Sequence, residues 1–241
     1  MSAHQKIPVL VYHKIAEPSA HDSNPNTCVT PADFSNQMRL LSMLGYRTVD
    51  PGQYLNSRLG LPADLPDKPV LITFDDAFES VRTRALPVLE NYGFRAALFM
   101  VFSGFGRGAF WDGEPDDSPN LLLGPGGLRE LGGAGWLIGS HGVSHCNFRD
   151  LDAPALAKEA CRSKSGLEDA LGREITWFAY PYGAYTPAAK RALAEAGYKI
   201  GFATEEGDGD IFAVPRRIIS GKSGLLNFAL RLRQAGRSSL L

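Results

Sequence analysis

The sequence predicts an α/β fold in which a parallel sheet curls into a barrel of about seven strands, closed imperfectly. Three observations predict it. Short apolar runs alternate with amphipathic segments along the 241 residues, the order of consecutive βα units. The run at 70–74 ends abruptly in two adjacent carboxylates, where an open α/β fold keeps its chemistry. No repeat, low-complexity tract or break in composition divides the chain, and its length suits one large α/β domain over 1–241.

Taken in order, residues 7–12 are an apolar run of strand length, too short for the apolar region of a signal peptide. A helix is predicted over 31–44, opening after Thr30 with Pro31 in its first turn and closing at Gly45. Residues 59–69 form a Pro-rich connector into the strand at 70–74. Residues 78–92 have a helical pattern that Pro87 kinks and Gly93 ends. A strand at 96–102 leads into 104–127, rich in Gly, Pro and Asp, whose length predicts a functional flap near the site. A strand at 136–140 precedes the longest helix, 153–171, and a strand at 176–180 follows it. The helix at 187–196 has a Thr-Pro start and stops at Gly197. Strands at 199–204 and 214–219 and a helix at 225–234 complete the pattern.

Formal net charge is −1, so no field steers the protein to nucleic acid or to an anionic membrane surface. No stretch reaches membrane-spanning length. Cys28, Cys146 and Cys161 are scattered without a CxxC pair, which argues against a disulfide framework and for a reducing compartment. With the short first run, this places the protein in the cytoplasm. Cys146 adjoins His145 but has no second Cys near it, and reads as a small apolar side chain. The sequence assigns no oligomeric state.

Asp75-Asp76 has a plain structural explanation: Asp76 with Glu79 three residues on resembles a capping box. Capping needs one carboxylate, however, and two adjacent acids that must both ionise repel one another unless a cation lies near. His141 and His145, at i and i+4 after a predicted strand, lie at the same end of the sheet. On a turn of helix they point the same way and grip one metal ion; the plain alternative is two unrelated surface imidazoles. No Glu follows the first His, so this is not the HExxH of zinc proteases. One Asp and two His form a facial set with positions open to water, leaving the second Asp free as a base. The combination reads as a metal-dependent hydrolase. Residues 178–183 (Phe-Ala-Tyr-Pro-Tyr-Gly) read either as a turn or as a rigid groove wall whose backbone N–H groups face an oxyanion. Other templates fail: Gly221-Lys222-Ser223 has Arg216 where a P-loop needs its first Gly, and there is no GxSxG.

Together and in this order, these segments resemble the motifs of the polysaccharide deacetylase family (NodB homology, carbohydrate esterase 4). Thr73-Phe74-Asp75-Asp76 looks like its first motif, which implies Asp75 as catalytic base and Asp76 as metal ligand. His141 and His145 match the metal-binding pair of the second motif. Tyr180-Pro181-Tyr182-Gly183 matches the third, in which Tyr182 lends a backbone N–H to the oxyanion hole. The resemblance implies a distorted (β/α) barrel that hydrolyses N-acetyl groups from an N-acetylated sugar or polysaccharide, or, as in some relatives, a small linear or cyclic amide. The metal is a divalent ion, zinc by the two imidazoles and a carboxylate, with cobalt, nickel or manganese as alternatives. Trp111, Pro181 and Tyr182 are candidates for the sugar-binding wall.

The chain also departs from the pattern. Gly142 stands where the second motif usually has Ser or Thr, and Ala179 where the third has an Arg that orients the base. No His follows His145, so the family's late general acid is missing. A branch acting on poly-N-acetylglucosamine has a Tyr-His pair near its start, and Tyr12-His13 fits it, making His13 the acid. Arg216 is the candidate to replace the missing Arg beside Asp75. A carbohydrate-binding homologue with weakened catalysis is the alternative that these departures raise.

Overall fold

The computed structural model describes residues 7–18, 25–204, 207–221 and 224–235. Its first elements are β1 (Val9–Tyr12), β2 (Lys14–Ile15), β3 (Cys28–Val29), α1 (Pro31–Met43), β4 (Arg47–Thr48), α2 (Pro51–Arg58) and β5 (Pro69–Phe74). A π-helical turn (Val81–Ala85) leads into α3 (Leu86–Asn91), then β6 (Ala97–Met100), α4 (Pro125–Gly133) and β7 (Leu137–Ser140). The last elements are α5 (Ala153–Leu171), β8 (Trp177–Ala179), α6 (Pro187–Glu195), β9 (Ile200–Phe202), β10 (Arg217–Ile218) and α7 (Leu225–Ala235).

The main sheet runs β10-β1-β5-β6-β7-β8-β9, every pairing parallel, with β4 added beside β5. All seven strands expected from the sequence are in it. The segment 214–219 nearly closes the ring. Val214 bridges Phe202 beside β9, and Arg217 and Ile218 then pair with Leu10 and Val11 of β1. Closure through one bridge makes this a distorted (β/α) barrel.

The strands read as continuous apolar runs because both faces are covered. Val9, Leu71, Ala97, Phe99, Trp177, Ala179, Ile200 and Phe202 point into the barrel, and Leu10, Tyr12, Ile72, Phe74, Leu98 and Met100 point at the helices. Tyr54 of α2 reaches into the interior, with ring centroids 5.7 Å from Trp177 and 6.1 Å from Phe202.

Register aligns the strand ends. Tyr12 lies opposite Phe74, Met100 opposite Ser140, and Ser140 opposite Phe178. The residues that follow these ends (His13, Asp75 and His141) therefore emerge at one mouth of the barrel.

The helix expected over 78–92 is broken. Pro87 has no N–H to donate back, so residues 81–85 adopt π-helical hydrogen bonding and an α-helix restarts at Leu86. There Pro87 sits in the first turn, where a missing N–H costs nothing. The connector before β5 is preceded by an unforeseen helix, α2. It opens on a capping box in which Asp50 accepts from the Gln53 N–H and the Gln53 side chain accepts from the Asp50 N–H. The flap expected over 104–127 ends earlier, at Pro125, where α4 begins.

Candidate active site

Three turns build the site, and each bends the backbone into a conformation L-residues rarely adopt. Among the described residues, positive φ outside glycine occurs at Asp76 (68°), Ala77 (65°), His145 (57°) and Tyr182 (59°). Such conformations cost about 1–3 kcal/mol each and persist where the surroundings enforce them. Here all four cluster at one end of the barrel.

At the β5 tip the ladder continues one residue beyond the strand, with Asp75 N–H donating to the Tyr12 carbonyl at 2.9 Å. Asp75 and Asp76 are both buried (4% and 6% exposed). Asp75 is gripped by Arg216, itself 2% exposed, in a bidentate pair with N–O distances of 2.7 and 2.6 Å. The guanidinium is fixed further by the Ala203 carbonyl at 3.0 Å and the Thr73 hydroxyl at 3.2 Å, and it lies over the rings of Phe99 and Phe202. Burial pushes the Asp75 carboxyl up, but Arg216, His141 and His13 outweigh it and hold the group below the usual carboxylate range. Asp75 is therefore ionised at neutral pH.

His141 N–H continues the β6–β7 ladder to the Met100 carbonyl at 2.8 Å. The turn of helix that the sequence predicts for His141 and His145 is corrected: the segment is an irregular loop. Gly142 at φ 81° and His145 at φ 57° interrupt any right-handed helix. The two rings still converge. His141 Nε2 is 3.5 Å and His145 Nε2 is 3.2 Å from Asp76 Oδ1. The three ligand atoms lie within 4.8 Å of one another.

The chemistry of these donors fits a cation. The Ala179 carbonyl can only accept, so His141 Nδ1, 2.7 Å away, carries a proton and donates it. Burial lowers the His141 pKa to about 4, so the ring is neutral and presents a lone pair at Nε2. That lone pair faces a buried Asp76 oxygen that receives no hydrogen bond. Burial pushes the Asp76 carboxyl up, but the His145 ring 3.2 Å away, with smaller contributions from His13 and His141, holds it well below the usual carboxylate range, and so ionised. Lone pairs facing a carboxylate repel one another unless positive charge lies between them. One carboxylate and two imidazoles suit a divalent ion such as Zn²⁺ with positions left open.

Around this cluster, Trp111 stacks on the His145 ring (centroids 4.2 Å, planes 19° apart) and Tyr182 meets it edge-on (4.7 Å, 70°). One face of Trp111 is thus occupied by the imidazole. Tyr182 is 58% exposed and follows the buried Pro181. Gly183 makes its turn possible: a Cβ there would meet Thr204 N at 2.6 Å, and its φ is +65°. His13, half-buried at the β1 tip, bears electrostatically on both Asp75 and Asp76 and has a buried Nδ1 without a hydrogen-bond partner.

The flap is stapled at its middle and at its C-terminal end. At the middle Glu114 forms a buried ion pair with Lys14, next to His13, and Lys14 Nζ lies 4.6 Å from the Phe78 ring centroid. At the C-terminal end Leu123 N–H donates to the Ala77 carbonyl and Glu79 N–H to the Leu121 carbonyl, both at 2.8 Å. Neither Lys14 nor Glu114 is legible in the sequence as part of the site. A lysine in a strand and a glutamate in a loop, 100 residues apart, carry no local signal. Cys28, Cys146 and Cys161 are thiols that take part in no disulfide.

The structure thus brings Asp75, Asp76, His141, His145, His13, Arg216, Trp111, Pro181 and Tyr182 to one mouth of the barrel. A family model described as polysaccharide deacetylase matches residues 63–201. The chain is similar to YxkH of Bacillus subtilis (strain 168), whose name places it among polysaccharide deacetylases: 29% identity over 226 residues, 91% of this chain and 74% of YxkH. It is also similar to a poly-β-1,6-N-acetyl-D-glucosamine N-deacetylase of Staphylococcus epidermidis, with 24% identity over 81% of this chain and 69% of that protein. Among solved structures, the Streptococcus pyogenes deacetylase PplD in complex with acetate superposes with a TM-score of 0.79 at 25% identity, covering 94% of this chain and 98% of PplD. IcaB from Ammonifex degensii shares the fold at a TM-score of 0.78 and 24% identity, over 95% and 97% of the two chains.

Proposed function

Because the chain belongs to the polysaccharide deacetylase family, we propose that it is a metal-dependent hydrolase that removes N-acetyl groups from an N-acetylglucosamine polymer. The observation that carries the proposal is the pair of adjacent carboxylates with separate partners: Asp76 among two imidazoles, Asp75 locked to Arg216.

Asp76, His141 and His145 would hold the metal, zinc by its ligands, which when bound supplies Lewis acidity to the acetyl carbonyl and to water. Asp75, ionised and oriented by Arg216, takes the proton of the attacking water. The Tyr182 N–H stabilises the oxyanion as the carbonyl carbon becomes tetrahedral. His13, protonated, gives its proton to the sugar nitrogen as the carbon–nitrogen bond breaks, leaving acetate and a free amine. Among the described residues it is the one imidazole besides the two ligands. The exposed Tyr182 and the half-buried Trp111 form the sugar-binding wall, and the buried Pro181 backs it from behind rather than touching the sugar.

Several observations support this reading over its rivals. Ala179 and the lack of a His after His145 raise a binding-only homologue, yet Arg216 supplies Asp75 with a bidentate guanidinium. His13 at the barrel mouth supports the branch with an N-terminal Tyr-His pair. A relative named for poly-β-1,6-N-acetyl-D-glucosamine supports that polymer as the substrate class. Among the described residues no helix is long and apolar enough to cross a membrane. The cytoplasmic location inferred from the sequence gains no support from the structure or the relatives.

The test is acetate release, with Zn²⁺ supplied, from β-1,6-linked N-acetylglucosamine oligomers, chitooligosaccharides and a cyclic imide. Release is expected from the β-1,6-linked oligomers. Hydrolysis of the imide with no acetate from either glycan would replace this substrate class by small amides, and glycan binding without hydrolysis would make the protein a lectin-like homologue.

A further inference from the structure

We propose that Glu159 of α5 is a positioning residue that fixes the loop carrying His141 and His145, and so sets the geometry in which those rings meet a metal. The proposal rests on the reading of Asp76, His141 and His145 as the metal centre.

Because the loop is not helical, nothing within it fixes the separation of the two rings. The three residues between them are instead held from two sides. On one side Phe102 N–H donates to the Gly142 carbonyl at 2.9 Å, and Ser103 N–H to the Val143 carbonyl at 3.0 Å. The Ser103 hydroxyl also donates to the Val143 carbonyl, at 2.5 Å. On the other side stands the Glu159 carboxylate. Its Oε2 accepts from Val143 N–H at 2.6 Å and Ser144 N–H at 3.3 Å, and its Oε1 accepts from the Ser144 hydroxyl at 2.8 Å. Three hydrogen bonds to an ionised group are the stronger kind, and all three fall on residues flanked by the two ligands.

Gly142 makes the approach possible. A Cβ at that position would stand 3.0 Å from Glu159 Oε2, and the residue's φ of +81° disfavours any side chain. The glycine and the carboxylate are therefore one device. Where the family's second motif usually carries a hydroxyl beside the first ligand, this chain has a glycine, and an acceptor from the neighbouring helix fills the room a side chain would take. Glu159 touches neither imidazole ring in this arrangement; it acts through the backbone between them. Residues that orient metal ligands typically contribute about 10–100-fold in metal affinity.

The experiment compares wild type, Glu159→Ala, Glu159→Gln and Asp152→Ala. Zn²⁺ affinity is measured by competition with a chelator, the absorption spectrum is recorded with Co²⁺ in the site, and Tm is taken without metal. Asp152→Ala is the control: it removes the cap of the same helix, the bond to Ala155 N–H at 2.9 Å, without touching the loop. It is expected to lower Tm and leave Zn²⁺ affinity and the Co²⁺ bands unchanged. Glu159→Ala is expected to weaken Zn²⁺ binding about 10–100-fold and to shift the Co²⁺ bands. Glu159→Gln, which keeps the shape but loses the charge, should fall between it and wild type. Wild-type affinity and spectrum in either Glu159 variant overturns the assignment. A wild-type protein that binds neither Zn²⁺ nor Co²⁺ overturns the metal centre itself, and the assignment with it.

Discussion

Asp75→Asn is expected to lower kcat about 10²–10⁴-fold, the range associated with loss of a positioned general base. Asn has nearly the same shape but cannot take a proton from water. Asp76, His141 and His145 are untouched, so Zn²⁺ affinity should stay within a few-fold of wild type. The substitution also leaves the buried Arg216 facing a neutral amide, and part of its donor set then loses a charged acceptor. Thr73 Oγ1 and the Ala203 carbonyl still hold the guanidinium, at 3.2 and 3.0 Å. Stability is therefore expected to fall while the fold survives. The check is single-turnover acetate release at saturating Zn²⁺, with bound metal quantified on the same samples. A kcat within a few-fold of wild type would remove Asp75 from the role of base.

Arg216→Ala is expected to have the largest effect on stability. It leaves Asp75 buried and ionised with its chief partner gone, and breaking such a pair costs about 3–5 kcal/mol at neutral pH. The sign of the pH dependence follows from the depressed Asp75 pKa. In the wild type, the pair's contribution is present above the unfolded carboxyl pKa and is lost as pH falls through the lower folded value. In the variant, burial dominates and the carboxyl takes up its proton at higher pH. The deficit against wild type is thus greatest near neutrality and narrows in acid. The same shift moves the acid limb of kcat/KM upward, because Asp75 must be ionised to act. Arg216→Lys should recover part of the charge but not the fork that grips both oxygens. Urea titrations at several pH values check the first expectation and a pH–rate profile the second. A deficit that does not change with pH would show that Arg216 acts by packing against Phe99 and Phe202 rather than through Asp75.

What the sequence made legible divides along a physical line. The barrel strands were legible because a parallel sheet covered on both faces leaves continuous apolar runs. The two-residue strands β2, β3 and β4 are too short to carry any periodicity. For α2 the signals were present, an Asp-Pro start with Gln at the third helical position, but a polar surface helix shows little apolar stripe. The metal candidates were legible from residue type and order. Their local structure was not, because an i,i+4 spacing is shared by a helical turn and by a loop bent at Gly142. Arg216 was reachable only as a replacement for the residue absent at 179, since its contact with Asp75 spans 141 positions. Glu159 and the Lys14–Glu114 pair had no such prompt. A glutamate on a 19-residue amphipathic helix reads as a solvated side chain until tertiary structure shows what it faces.

The most direct test of the central claim is a zinc titration of metal-stripped protein, with bound ions and acetate released from β-1,6-linked N-acetylglucosamine oligomers measured on the same samples, beside Asp76→Ala. The account predicts that activity returns in proportion to bound zinc and saturates at a single ion per chain. It predicts that Asp76→Ala neither retains the ion nor recovers turnover. Full activity in the stripped protein, or wild-type zinc content and turnover in Asp76→Ala, would contradict it.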